Sequence, residues 1–141
     1  MKPVDQLIVP THPNLPPYGD CFRACIASLL ELPALEVPHF FDYADGDADR
    51  GFRAANDWLE PRGLGYVDMP VSAGDLPSFA GLMLRGYHVL SGESGLSVHA
   101  VVAHRGHPVH DPHPARPGVR PMVLGPGAEG YLVGVLYLLH L

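Results

Sequence analysis

Basic residues are scarce in this chain. Lys and Arg number 9 against 15 Asp and Glu, a formal net charge of −6 with neutral histidines. A surface that must neutralise a row of phosphates needs the opposite balance, so nucleic acid is excluded as a main partner. Cysteine is scarcer still, with only Cys21 and Cys25. They stand four apart in a segment of helical pattern, where a disulfide would have poor geometry and close a trivial loop, so both are expected as reduced thiols. Long apolar runs are also missing. The longest, YLVGVLYLLHL at the C-terminus, falls well short of the roughly 20 residues that span a bilayer. The opening MKPVDQLIVP has neither the apolar stretch nor the small-residue cleavage site of a signal peptide. These absences predict a cytoplasmic protein with no membrane insertion.

What is present suits a packed core. The 141 residues are 47% hydrophobic and 17% charged, which predicts a single domain over residues 1–141. Proline and glycine divide the chain. A short strand is expected from Gln6 to Val9, followed by the stiff, Pro-rich THPNLPPYGD. Asp20 is placed to cap a helix over CFRACIASLLEL that Pro33 stops. On the helical wheel Phe22, Cys25, Ile26, Leu29 and Leu30 share an apolar arc, Cys21 lies at its edge, and Arg23, Ala27 and Glu31 lie opposite.

A short helical turn follows, then an acidic loop with Asp42, Asp45, Asp47 and Asp49. It lacks the closing Glu of a calcium loop, so a solvated loop is expected. Arg50 to Glu60 has the pattern of a second helix, with Phe52, Ala55, Trp58 and Leu59 inward. The second half changes character. Leu64–Met69, Tyr87–Leu90, Val98–His104, Pro108–His110 and Tyr131–Leu139 are short apolar or β-branched runs between breakers. Helices first and an antiparallel sheet after make an α+β fold class.

The chemistry concentrates in two stretches. In GDCFRACIASLL, Cys21 occupies the first helical turn, where unpaired N–H groups and the positive dipole end favour a thiolate and are expected to lower its pKa. In SVHAVVAHRGHPVHDPHP, His99 lies on a strand apolar on both faces, an Arg105-Gly106 turn follows, and Asp111 ends the returning strand. A histidine beside Cys21 could take the thiol proton, and an aspartate could orient its ring through the second nitrogen. His104, His107, His110 and His113 invite a zinc reading with the two cysteines. Strands alternate with period two, so a spacing of three throws these histidines to opposite faces, and no metal or other cofactor is expected.

A cysteine opening a helix after an extended segment, a later strand histidine and an Asp-Pro at the end of the next strand resemble the papain-like cysteine peptidases. The likeness is closest to small bacterial and bacteriophage proteins of the leader-peptidase (double-glycine peptidase) kind and spans about residues 14–114. It implies a compact papain-like fold and a cysteine peptidase acting on a peptide or isopeptide bond through Cys21 as nucleophile, His99 as base and Asp111 as orienting residue. The family usually sets a Gln about six residues before the nucleophile as oxyanion donor. Position 15 here is Leu, so the role falls to the nearest amide, Asn14, with Gln6 the other candidate if the Pro-rich segment folds back. Phe22 stands where the family commonly has Gly, which would narrow the cleft. The same apparatus serves glutamine deamidation, peptidoglycan amide cleavage and acyl transfer, and a non-catalytic binding module would use the same residues only for packing.

Overall fold

The computed structural model describes residues 1–12, 15–42, 48–95 and 97–139. Helix α1 runs over Cys21–Leu30 and ends where Glu31 turns left-handed, its N–H closing on the Ala27 and Ser28 carbonyls just before Pro33. It is buried nearly all round. Ala27, expected on the outer side, is as inaccessible as Ile26, because the N-terminal segment covers the face away from the sheet. After a 3-10 turn over Ala34–Glu36, helix α2 spans Ala48–Leu59 and carries the apolar stripe of Phe52, Ala55, Trp58 and Leu59 onto the same core.

The sheet strands are β1 (Leu64–Ser72), β2 (Tyr87–Ser94), β3 (Ser97–His104), β4 (His107–His110), β5 (Met122–Gly125) and β6 (Ala128–Leu138). All pair antiparallel in the order β1-β6-β2-β3-β4, with β5 added onto β6. The molecule is thus α+β, with two additions to the order expected from sequence: β5, which none of the five expected runs included, and a third helix. Helix α3, Leu76–Met83, interrupts the strands between β1 and β2. Pro77 sits in its first turn and its length is barely two turns, so its apolar residues carry no clear helical period.

The two sheet faces bury separate cores. On one, Phe22, Ile26, Ala55 and Leu59 meet Tyr66, Val89, Ala100 and Val102; on the other, α3 covers Leu90, Val101, Ala103 and Val133. Phe22 does not line a cleft. Its ring packs edge-on against Phe40, Phe41, Phe52 and Tyr66, at centroid distances of 5.1 to 6.1 Å. The expected turn between β3 and β4 is present, with Arg105 at φ 52° and Gly106 at φ 81°.

Gln6–Val9 is not a strand. The N-terminal residues form an extended strap whose backbone is held by side chains and loops: Lys2 N–H on the Ser28 carbonyl, Val4 N–H on Ser28 Oγ, and Gln6 N–H on the Pro112 carbonyl. The two prolines that flank the segment, Pro3 and Pro10, cannot donate to a ladder.

Gly134 of β6 marks the tightest point of the first core, since a Cβ there would meet the Tyr66 hydroxyl at 1.8 Å and the ring beneath it. Gly134→Val is therefore expected to destabilise the protein by about 2 kcal/mol or more through overpacking. Urea unfolding measures this, and a loss below about 0.5 kcal/mol would show that Tyr66 yields freely.

Candidate active site

Cys21 opens α1, and the first bond inside that helix runs from Ala24 N–H to the Asp20 carbonyl. The N–H groups of Cys21, Phe22 and Arg23 thus precede the ladder. Cys21 packs against the core that includes Ala100, the residue after His99 on β3. The backbone N–H groups of Ala100 and Phe22 act to lower its thiol pKa. The neighbouring strand β4 is short. It pairs with β3 only from Val102 onward, across a bulge, and among the described residues no strand flanks Ser97–Val101 on that side.

Asp20 does not cap the helix as its position suggests. Its fully buried carboxylate instead accepts N–H bonds from Leu7 (3.2 Å) and Ile8 (2.8 Å) and a two-pronged contact from the Arg23 guanidinium at 2.9 and 2.7 Å. The carboxylate one residue before Cys21 therefore ties the strap to the start of α1.

His99 and Asp111 are brought together as expected. His99 Nε2 lies 2.6 Å from Asp111 Oδ1, with both side chains less than a tenth exposed. Asp111 also accepts the His113 N–H on Oδ1 (2.9 Å) and the Gly118 N–H on Oδ2 (2.7 Å). Burial pushes the Asp111 carboxyl up, but the His99 contact and these two N–H donors outweigh it and hold it below the usual carboxylate range. An ionised Asp111 must receive a proton on Nε2, which leaves Nδ1 as the basic nitrogen of His99.

The thiol departs from expectation. Its neighbourhood does not favour a free thiolate, because burial pushes Cys21 up to about 11 and the Asp20 and Asp111 charges add to that, while the Ala100 and Phe22 N–H groups offset only part. The helix terminus is outweighed by desolvation and two carboxylates. Cys25, one turn deeper, is buried, and desolvation pushes it well above the ordinary thiol range, as suits a packing residue.

Of the two amides proposed from sequence, Asn14 lies outside the described residues. Gln6 is in place. The strap folds back and buries its side chain, with Nε2 donating to the Ile8 carbonyl at 2.7 Å and standing 3.6 Å from the point where Gly19 would carry a Cβ. Its Oε1 is buried and has no hydrogen-bond partner in the described structure. The signal for Gln6 was weak in sequence because fifteen residues separate it from Cys21 and only the prolines between them hint at a reversal.

Among the described residues no group of His, Cys, Asp and Glu could hold a metal ion, and no helix is long and apolar enough to cross a membrane. Of the acidic loop, Asp45 and Asp47 lie outside the described residues, and Asp49 belongs to α2. No protein-family model, curated protein or solved structure matches the chain.

The Asp111 network predicts a signed pH dependence. A carboxyl held below its unfolded value contributes stability that is complete above about pH 4 and is lost as pH falls through the folded value. Wild type should exceed Asp111→Asn by about 2 kcal/mol near pH 6, a charge-assisted hydrogen-bond magnitude, and the gap should close in acid. Denaturant unfolding from pH 7 to pH 2.5 tests this, and a gap independent of pH would mean that the carboxylate charge is irrelevant.

Proposed function

We propose that the chain is a thiol hydrolase of papain-like design that cleaves peptide or isopeptide bonds through Cys21, His99 and Asp111. The observation that carries this reading is the 2.6 Å His99–Asp111 contact, together with a helix-opening cysteine that packs against the core holding Ala100, His99's chain neighbour. A core histidine needs no carboxylate that is itself fixed by two backbone N–H groups. Such an arrangement orients a ring.

In the reaction the Cys21 thiol gives its proton to His99 Nδ1 as its sulfur bonds the acyl carbon. Because the resting thiol is protonated at neutral pH, the transfer accompanies attack and does not precede it. Charge then develops on the acyl oxygen, and the Cys21 N–H and the second hydrogen of Gln6 Nε2 are the donors for it. Collapse breaks the C–N bond and His99 returns the proton to the leaving amine. Water, deprotonated by the same nitrogen, adds to the thioester, and Cys21 leaves as the thiol with the acid released. Asp111 keeps the Nε2 proton in place throughout and stabilises the transient imidazolium.

The substrate is a polypeptide, the class that the papain-like resemblance implies. A cytoplasmic setting accords with two reduced thiols.

p-Nitrophenyl acetate tests the apparatus without knowledge of the peptide sequence. Wild type should release nitrophenol in a burst and carry the acetyl group on Cys21, found by peptide mass mapping. His99→Ala is expected to lower the acylation rate about 100-fold or more, Gln6→Ala about 100-fold, and Cys25→Ala less than twofold. A wild-type rate equal to that of Cys21→Ala, or acetylation confined to other residues, would leave the site as packing and return the reading to a binding module.

A further inference from the structure

The loop after β4 holds an arginine in an unusual place. Arg116 has a left-handed backbone, φ 49°, which a residue with a Cβ rarely adopts unless its surroundings require it. Its surroundings do. The Arg116 N–H closes a turn on the His113 carbonyl at 2.9 Å, and the guanidinium folds back to donate from Nη1 to the Asp111 carbonyl and, at 3.2 Å, to the His113 carbonyl. The same guanidinium grips Asp5 of the strap with both prongs, Nη1 to Oδ1 at 2.6 Å and Nη2 to Oδ2 at 3.2 Å. That bond holds the Asp5 carboxyl below the usual range. His110, the last residue of β4, adds Nε2 contacts to the Val4 carbonyl at 3.0 Å and to Asp5 Oδ1 at 3.3 Å.

An exposed ion pair by itself contributes little stability, and Arg116 and Asp5 are each about half exposed. What distinguishes this pair is what lies at its two ends. On one side stands Asp111, whose carboxylate orients His99; on the other, one residue from Asp5, stands Gln6, whose N–H is on the Pro112 carbonyl and whose amide is beside Gly19. A planar fork with five donors can serve two backbone carbonyls and a carboxylate together, which a lysine ammonium cannot match.

We propose that Arg116 is a positioning residue that sets the orienting carboxylate and the oxyanion amide with one clasp, holding the Asp111 loop and the Gln6 strap in register on either side of Cys21. The inference rests on the thiol-hydrolase reading for its consequence in catalysis and on the contacts alone for its consequence in structure, so the two can fail separately. Arg116 touches no reacting atom and acts through Asp111 and through Asp5.

The structural half is read by amide hydrogen exchange at His113 and Gly118, whose N–H groups both rest on the Asp111 carboxylate. Arg116→Gln is expected to speed exchange at these two amides by tenfold or more while Ala24 of α1 and Val101 of β3 exchange as before. Asp5→Asn, a milder change on the surface, should speed the same amides by a smaller factor, and Arg116→Lys should restore part of the protection. The catalytic half is read with p-nitrophenyl acetate. Arg116→Gln should lower the acylation rate at least tenfold with KM within twofold of wild type, and Arg116→Lys should recover part of the rate. If Arg116→Gln does not fold, Asp5→Asn decides alone by the same two amides. Unchanged exchange at His113 and Gly118 in the folded variants overturns the clasp, whatever the ester kinetics. Faster exchange with an unchanged acylation rate overturns its catalytic role. A wild type that shows no burst, with exchange still faster in the variants, refutes the hydrolase reading and leaves the clasp as a structural device.

Discussion

The buried carboxylate of Asp20 is the point on which the arrangement turns. It is completely inaccessible, one residue from the candidate nucleophile, and four donors converge on it from two parts of the chain. An ionised carboxylate taken out of water costs several kcal/mol unless its lone pairs are filled, and here Arg23 supplies the charge and the Leu7 and Ile8 N–H groups fill the remaining sites. The consequence is directional. The N-terminal strap cannot leave α1 without stranding a buried charge, so the strap's course, and with it the burial of Gln6, follows from a residue whose expected task was to cap a helix.

That same carboxylate shapes the electrostatics next to it. Cys21 feels Asp20 and Asp111 as repulsive to a thiolate, and desolvation acts in the same direction, so the helix terminus does not produce a free anion. A resting ion pair would have to form against three unfavourable influences. In the proposed hydrolase a protonated Cys21 thiol needs no such pair. That reading requires only that Nδ1 of His99 be available when the sulfur attacks, and the Asp111 contact on Nε2 leaves that nitrogen free of the proton. Desolvation and both carboxylates thus act on the thiol in one direction, while Asp111 also fixes the ring of His99.

Helical period, a proline stop and short apolar runs between breakers are enough to place α1, α2, β3 and the Arg105-Gly106 turn, because each is decided by neighbours in the chain. The pairing of His99 with Asp111 was legible for the same reason, since a hairpin and twelve residues bring them back together. What sequence could not supply was set by contacts distant along the chain. Gln6–Val9 has the apolar look of a strand, yet its donors go to Asp20 and Pro112. α3 is too short to show a period, and although the helical wheel sets Phe22 on the apolar arc, nothing local reveals that four aromatic rings from three segments surround it and keep it from the cleft that the resemblance implies. The Cys21 environment was misjudged likewise: the helix terminus is written in the sequence, while the desolvation that overrides it is a property of the packed molecule.

The place where the sheet stops explains why the candidate site lies where it does. If β4 continued past His110 in register, it would take the inter-strand bonds of Ala100, and the N–H that now acts to lower the Cys21 thiol pKa would be spent on a ladder. The bulge at Val102/Ala103 and the Asp111-Pro112 step end the pairing instead, since proline has no N–H to continue it. The chain then turns inside out: a strand that would have presented alternating side chains becomes a loop whose backbone N–H groups, at His113 and Gly118, converge on one carboxylate. The interruption of one strand therefore yields both halves of the arrangement. It frees the edge of β3 for the thiol, and it gives Asp111 the backbone donors that keep it charged beside His99.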